Sequence, residues 1–291
     1  MRLLIVVALF TLSFPSSNAD KILDIITSRF DSKVNSCNNF ADRTCINRGM
    51  SKITLPRVAH QATQEVIYKD TWNIYVCYHI GLFKYLHPVP VYLGLADEAR
   101  SINHGLSLGL NFYWVANNTE SWPTTIGFVG SIVGYLLAQS IEGEYSYNSN
   151  GKTHIFSKEE KECVMNQLTS TCTTVNKCLH RDVFFHTAMV DMLGVRLAYE
   201  VLKDTEPDLK AKHNGTDLTV EQVFFHAYAS HYCEHYSHSD ESGIPDFSAT
   251  VNMLINMPEF AEAFQCEENS ELMKSRTKQC YLIGKDAAKT K

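Results

Sequence analysis

The 291-residue sequence lacks any run of lysine or arginine, and its formal net charge is −6. Nucleic-acid-binding surfaces carry clustered basic residues, so this charge balance predicts no nucleic-acid partner. The sequence also has no phosphate-binding glycine loop, no internal repeats and no low-complexity linker. The glycine-loop motif of nucleotide-binding proteins is therefore missing. With 45% hydrophobic and 20% charged residues, the composition is that of an ordinary folded globule.

Neither of two apolar runs reaches the length of a membrane span, which takes about 17 to 25 residues. Residues 3–14 are followed by the small-residue sequence Ser17-Asn-Ala19, so residues 1–19 have the pattern of a cleaved signal peptide. A short uncleaved anchor is the alternative interpretation. Residues 126–137 are interrupted by glycines and are interpreted as a buried core helix. We therefore expect a secreted chain without a membrane span.

Nine cysteines in a secreted chain predict disulfide bonds. The odd number leaves at least one thiol free or paired with another chain. Cys172 and Cys178 are near enough in sequence to pair locally. Two N-glycosylation sequons, at Asn117 and Asn214, suit a glycosylated surface.

Periodicity predicts helices over residues 21–30 and 184–202, and residues 96–113 are interpreted as a further helix. Three strings recur in one known family. They read G-S-I-V-G-Y-L-L-A-Q at residues 130–139, F-F-H-A-Y-A-S-H-Y-C at residues 224–233, and P-E-F-A-E-A-F-Q-C at residues 258–266. They resemble the C-terminal domain of the neprilysin and endothelin-converting-enzyme family of zinc endopeptidases. That family reads G-x-x-x-G-H-E-x-x-H, F-F-x-x-F-A-x-x-W-C and P-E-F-x-x-A-F-x-C.

The resemblance implies a mainly α (α+β) fold with a small strand element. Residues 126–291 would form a neprilysin-like C-terminal peptidase domain, and residues 20–50 resemble the start of the family's ectodomain. Fewer than 100 residues separate these two parts, where the family has a much longer helical lobe that caps its cavity. We therefore expect residues 51–125 to be a reduced helical region with most of the cap lobe missing.

The resemblance also implies three disulfide bonds, Cys37–Cys266, Cys45–Cys233 and Cys163–Cys280. The first two would attach the N-terminal segment to the C-terminal domain. If Cys172 pairs with Cys178, Cys77 is the odd thiol. It would then be buried on an aromatic helix or link two chains in a disulfide-bonded dimer.

The zinc-binding motif of the family is missing at its expected place. An H-E-x-x-H helix works because residues four apart share one face, so that both imidazoles reach one zinc ion while the Glu acts as general base. This chain has Tyr135, Leu136 and Gln139 at the positions of the first His, the Glu and the second His. Tyrosine and glutamine are poor zinc ligands, and leucine cannot take a proton.

The remaining functional positions of the family are also changed. Thr187 stands where the family has its third zinc ligand, a Glu, and Gly243 and Ala249 stand where a His and an Arg stabilise the oxyanion and the substrate. Asp191 matches the family's Asp, which orients a zinc-bound His. In this chain Asp191 either holds a tyrosine hydroxyl instead or faces solvent. The resemblance therefore implies a scaffold without catalytic residues, metal ligands or a cofactor.

An inverted zinc motif, H-x-x-E-H, is present at His231 and His235. However, it encloses Cys233, which the resemblance assigns to a disulfide bond. Weak zinc or copper binding is one interpretation of these histidines and their neighbours His226 and His238. Polar surface histidines are the interpretation that the context favours.

The sequence therefore predicts a secreted, glycosylated pseudopeptidase that binds a peptide or protein in the remnant of the family's cleft. The alternative is a zinc metalloendopeptidase that cleaves peptides through substitute ligands. A third interpretation is a degenerate relative with a structural role only or with no function.

Overall fold

The computed structural model describes residues 21–45, 91–94, 100–102, 105–109, 121–132, 134–135, 138, 156–174, 181–233 and 247–280. Within these ranges the chain is mainly helical. The helices are α1 (Lys21–Ser28), α2 (Phe40–Cys45), α3 (Trp122–Thr125), α4 (Lys158–Thr174), α5 (Arg181–Thr205), α6 (Val220–His231), α7 (Phe247–Asn252), α8 (Pro258–Ala263) and α9 (Glu271–Ser275). A π-helical turn, Ile126–Gly130, follows α3, and a 3₁₀ turn, Met253–Asn256, follows α7.

A small sheet contains β1 (Val91–Gly94), β2 (Arg100–Ile102) and β3 (Gly105–Gly109) in the order β1-β3-β2. β1 is parallel to β3, and β2 is antiparallel to β3. The helix predicted over residues 96–113, and with it the helical assignment of this part of residues 51–125, is wrong. In the β3 sequence, G-L-S-L-G, leucines alternate with small residues, and this period of two is that of a strand. Glycine also destabilises the interior of a helix.

Helix α6 forms the centre of the described C-terminal domain. It begins with a capping box, in which the Thr219 hydroxyl accepts from the Gln222 amide and the Gln222 side chain accepts from the Thr219 amide. Such reciprocal bonds satisfy donors that a helix start otherwise leaves unpaired. From Val220 to Ser230, every α6 residue except Gln222 is buried. The helix is therefore surrounded by the other elements rather than half exposed.

An aromatic core packs around α6. Phe40 of α2, Phe224 and Phe225 of α6, and Phe260 of α8 are all fully buried. The Phe40 and Phe225 rings meet Phe260 edge to face, with ring centroids 4.9 and 5.3 Å apart. Burial of each such side chain contributes about 1.5–3 kcal/mol. This core joins the N-terminal segment to the C-terminal helices.

The N-terminal segment, residues 21–45, is an integral part of this domain. The backbone amides of Phe40 and Ala41 at the start of α2 donate to the Asn252 side-chain oxygen of α7, at 2.8 and 3.2 Å. The Cys37 carbonyl accepts from the Leu272 amide at 2.9 Å. Buried polar bonds of this kind fix the register of the segment on the domain.

Three disulfide bonds join pairs of described residues, and their pairing is the one that the family resemblance implies. They are Cys37–Cys266, Cys45–Cys233 and Cys163–Cys280, with sequence separations of 229, 188 and 117 residues. Closing loops this long stabilises a fold by about 5 kcal/mol each on the chain-entropy model. Cys172 is also disulfide-bonded, whereas Cys77 and Cys178 lie outside the described residues.

The apolar run at residues 126–137 forms core over its described part. Ile126, Phe128 and Ile132 are 6–7% exposed. Among the helices that the structure describes, none has both the length and the apolar character needed to cross a membrane.

Candidate functional site

Close contact between two glycines brings the helical segment that carries Tyr135 against α5. A Cβ atom on Gly134 would lie 2.4 Å from the Gly194 carbonyl oxygen, and one on Gly194 would lie 2.5 Å from the Tyr135 amide nitrogen. Because no other residue lacks a Cβ atom, this backbone approach requires glycine at both positions. The contact places Tyr135 within one helical turn of Asp191 along the surface of α5.

Asp191 lies on the face of α5 that packs against α6. Its side chain is buried, with 3% of its surface exposed. One carboxyl oxygen accepts a short hydrogen bond from the Tyr228 hydroxyl, and the other accepts one from the Tyr232 hydroxyl. The two tyrosines are four residues apart, so they project from the same side of α6 and its last turn. We call Asp191, Tyr228 and Tyr232 the tyrosine–aspartate cluster.

Burial sets the protonation state of this cluster. It raises the pKa of Asp191 to about 6, although the hydrogen bonds from Tyr228 and Tyr232 act in the opposite direction by favouring the carboxylate. Burial and the Asp191 charge both raise the pKa values of Tyr228 and Tyr232 well above 10. Both phenols therefore stay protonated and act as hydrogen-bond donors to Asp191 at neutral pH.

Tyr135 stands at the edge of the cluster. It is partly buried and packs against the core formed by α4 and α5. Burial, and then the Asp191 charge, raise its pKa above the ordinary value. The residue in the position of the family's first zinc-binding His is thus a neutral phenol within electrostatic range of Asp191.

The other positions singled out by the resemblance do not assemble into a site in the described residues. Thr187 lies on α5 one turn before Asp191, and its side chain is outside the description. Ala249 is buried in α7 with 5% exposure. Leu136, Gln139 and Gly243 lie outside the described residues.

Of the two interpretations of Asp191, the structure shows hydrogen bonding to tyrosine rather than exposure to solvent. The sequence reasoning did not identify Tyr228 and Tyr232 as these partners. A signal was nevertheless present, because the resembled motif has Phe and Trp at the same two positions. A tyrosine that replaces a buried Phe or Trp brings a hydroxyl that needs a partner.

The donor set does not fit a zinc ion. Zinc in proteins is held by thiolate, imidazole and carboxylate groups, three of them in a catalytic site. Tyr135 provides only a neutral phenol at this place, and both Asp191 oxygens already accept hydrogen bonds from tyrosine. Nowhere in the described ranges do three His, Cys, Asp or Glu side chains come together as a metal site would require.

The inverted zinc motif begins at the end of α6, close to a disulfide bond. His231 is the last residue of α6, and its ring packs edge-on against Phe128, with centroids 5.6 Å apart. Cys233, inside the motif, is bonded to Cys45. His235 lies outside the described residues, so the paired ligand set of this motif stays a prediction.

His226 is not a surface histidine, and that interpretation is wrong for this residue. It is 1% exposed, and its Nδ1 lies 2.9 Å from the Thr44 hydroxyl. Burial, and then the nearby Arg43 charge, hold its pKa well below the ordinary value. A neutral His226 therefore helps to anchor α2 on α6 and is directed into the core between Phe30 and Phe40.

A second buried tyrosine–carboxylate contact joins the same two helices. The Tyr199 hydroxyl of α5 donates a short hydrogen bond to the Glu221 carboxylate of α6. Both side chains are buried, with 3% and 5% exposure. Burial raises the pKa of Glu221, and the Tyr199 hydrogen bond and the Lys210 charge act against that rise.

The described sequon lies on an exposed loop. Asn214 is exposed and is followed by Gly215, whose φ of 82° favours glycine. The Thr216 hydroxyl accepts from the Leu218 amide at 3.1 Å. The Asn214 side chain is therefore open to solvent, as a glycan acceptor must be. Asn117 lies outside the described residues.

Comparison with known proteins places these features in context. The family model described as Peptidase family M13 matches residues 147–280. Neprilysin-3 of Drosophila melanogaster is 26% identical over 187 residues, which cover 57% of this chain and 23% of that relative. The chain thus spans about a quarter of the length of the relative that it matches. No solved structure matches the chain.

Proposed function

We propose that this chain, whose residues 147–280 match the model of peptidase family M13 and which is similar to a neprilysin, is a secreted pseudopeptidase of that family. In this proposal it binds a peptide or protein in the remnant of the family's cleft and does not cleave it. The proposal combines a retained scaffold with an altered metal site.

The observation that carries the proposal is the state of Asp191. In the resembled motif this carboxylate would orient an imidazole bound to zinc. Here Tyr228 and Tyr232 donate to both of its oxygens, and Tyr135 stands at the imidazole's position. A neutral phenol neither binds zinc tightly nor activates a water molecule at neutral pH.

The retained scaffold supports a binding role. The three disulfide bonds and the aromatic core around α6 fix the positions of α5, α6 and the N-terminal segment. A rigid surface reduces the entropy that is lost when a ligand binds. A chain that keeps this rigidity without the metal ligands is suited to recognition rather than to turnover.

Secretion and glycosylation belong to the same proposal. Disulfide bonds form and persist in oxidising compartments, and the N-terminal 19 residues have the pattern of a signal peptide. The exposed Asn214 lies in an N-x-T sequon. Peptide N-glycosidase treatment of secreted protein should lower the apparent mass, and the Asn214→Gln variant should lose one glycan.

The test is the metal content and peptidase activity of the secreted full-length chain. Zinc would be measured by mass spectrometry before and after mild chelation, and activity against a mixed peptide library. We expect less than stoichiometric zinc and no chelator-sensitive cleavage. One zinc ion per chain together with cleavage that a chelator abolishes would overturn the proposal and favour the substitute-ligand endopeptidase.

The variant pair His231→Ala and His235→Ala is the matched control. If the natural chain carries zinc, loss of that zinc in both variants would assign it to the inverted motif. Peptides retained by the immobilised chain from the same library would then identify the ligand class, because binding without cleavage is what the proposal requires.

A further inference from the structure

We infer that Tyr228 and Tyr232 form a second barrier to metal binding, independent of the missing zinc ligands. This inference rests on the proposed function, because it concerns the same altered site. It states that restoring the ligand residues alone does not restore tight zinc binding. The hydroxyls of both tyrosines must also be removed.

Both oxygens of the Asp191 carboxyl group already accept hydrogen bonds. Its two oxygens accept from two different hydroxyls, and the side chain is 3% exposed. An imidazole at position 135 could reach this carboxyl only if at least one phenol moved away. A packed interior does not leave space for both, because protein cores are close-packed.

Releasing Tyr228 and Tyr232 from Asp191 would destabilise the fold. Tyr228 is 2% exposed and Tyr232 is partly buried. If Asp191 turned towards an imidazole, both hydroxyls would lose this acceptor and keep only the hydrogen bond between themselves, so one of them would be left without an acceptor. A buried polar group without a partner is strongly disfavoured. The cluster therefore competes with an incoming imidazole for the same carboxylate.

A further argument comes from the sequence of α6. The string F-F-x-x-F-A-x-x-W-C has Phe and Trp where this chain has Tyr228 and Tyr232. Neither Phe nor Trp has a hydroxyl. Both hydroxyls therefore occur in the chain that also lacks the imidazole at position 135. The two tyrosines supply the hydrogen bonds that this carboxyl would otherwise receive from an imidazole.

The contrast with Tyr199 shows that the effect depends on position. Tyr199 also donates to a buried carboxylate between α5 and α6. Its acceptor, however, is Glu221, which is not the residue that faces position 135. A Tyr→Phe change there removes a comparable hydroxyl but leaves the Asp191 carboxyl engaged.

The experiment uses the full secreted chain with the three zinc ligands restored by Tyr135→His, Gln139→His and Thr187→Glu, and the general base restored by Leu136→Glu. Zinc affinity is measured by competition with a chelator of known affinity. Adding Tyr228→Phe and Tyr232→Phe should tighten zinc binding by about 10–100-fold, the usual effect of a residue that orients a metal ligand. Adding Tyr199→Phe instead should leave the affinity unchanged.

Two results would overturn the inference. One is equal zinc affinity of the ligand-restored chain with and without the Tyr228 and Tyr232 changes. The other is the same gain from Tyr199→Phe. Neither result would affect the proposed function, which depends on the natural chain. Zinc in the natural chain, by contrast, would overturn the proposed function itself.

If the ligand-restored chain does not fold, the natural background provides the second test. Asp191→Leu should raise the unfolding equilibrium constant. Adding Tyr228→Phe and Tyr232→Phe to that variant should lower the unfolding equilibrium constant again by at least tenfold, because the hydroxyls that lost the Asp191 acceptor are then removed as well. Additive losses would overturn the inference, since they would mean that the three side chains do not act as one cluster.

Discussion

Helices α5 and α6 are joined by two buried tyrosine–carboxylate contacts that are built in opposite directions. In the tyrosine–aspartate cluster, α5 supplies the carboxyl group and α6 with its last turn supplies two hydroxyls. In the other contact, α5 supplies the Tyr199 hydroxyl and α6 supplies the Glu221 carboxylate. Lys210 stabilises the charge on Glu221, whereas no basic side chain of the described residues does so for Asp191.

The difference indicates that the Tyr199–Glu221 contact is structural, whereas the tyrosine–aspartate cluster lies at the altered site. One donor and a nearby lysine are enough to hold a carboxylate near the start of α6, and this contact needs no further explanation. Asp191 has two donors and no cation from the part of the chain that the structure describes, and it occupies the position where the resembled family places the partner of a metal-bound imidazole. In the proposed pseudopeptidase, the two tyrosine hydroxyls take the place of that imidazole as donors to Asp191.

Removal of each carboxyl group should separate the two contacts most strongly. Asp191→Ala removes the carboxyl group that accepts from two hydroxyls, so we expect a loss of about 3–5 kcal/mol in the free energy of unfolding. Glu221→Ala removes the acceptor of one hydroxyl, and we expect a loss of about 1–3 kcal/mol. Urea denaturation at pH 5, below the Asp191 pKa of about 6, avoids a gain from removing a buried charge.

Equal losses for the two alanine variants would contradict the comparison. Circular dichroism of both variants is the control, since a change in helix content would show that more than one contact was lost.

The scaffold could be predicted from the sequence more fully than the surroundings of Asp191. Helix α5 could be predicted from apolar periodicity, whereas helix α6 and the disulfide pairs followed from the family resemblance. The three strands could not be predicted, because each is only three to five residues long and so short an apolar pattern does not distinguish a strand from a helix. The partners of Asp191 were missed because motif matching treats Tyr228 as a near-equivalent of Phe, and this equivalence ignores the hydroxyl.

The pH dependence of stability should distinguish the same two residues. The folded-state pKa of Asp191 is about 6, compared with an ordinary value of 3.8. Between these values the folded chain holds a proton that the unfolded chain has released. The stabilising contribution is therefore complete below about pH 4 and is lost as the pH rises through 6, a change of about 3 kcal/mol.

The Asp191→Asn variant should lose this slope, whereas Glu221→Gln should keep it. Urea midpoints at pH 4, 5, 6 and 7 for the natural chain and both variants provide the measurement. The pKa of Glu221 is also raised, so a smaller slope of the same sign should remain in Asp191→Asn. A variant profile parallel to that of the natural chain would show that Asp191 does not hold its proton in this range.

The smallest effects should come from removing single hydroxyls. Tyr228→Phe and Tyr232→Phe each remove one of two donors to Asp191, and we expect each to cost about 1–2 kcal/mol at pH 7, where the carboxylate is charged. Tyr199→Phe should cost less, about 0.5–1.5 kcal/mol, because Lys210 still stabilises the Glu221 charge. Thermal and urea unfolding of the three variants would rank them. If Tyr199→Phe proved the most destabilising, Glu221 rather than Asp191 would be the carboxylate that depends on tyrosine for its place in the fold.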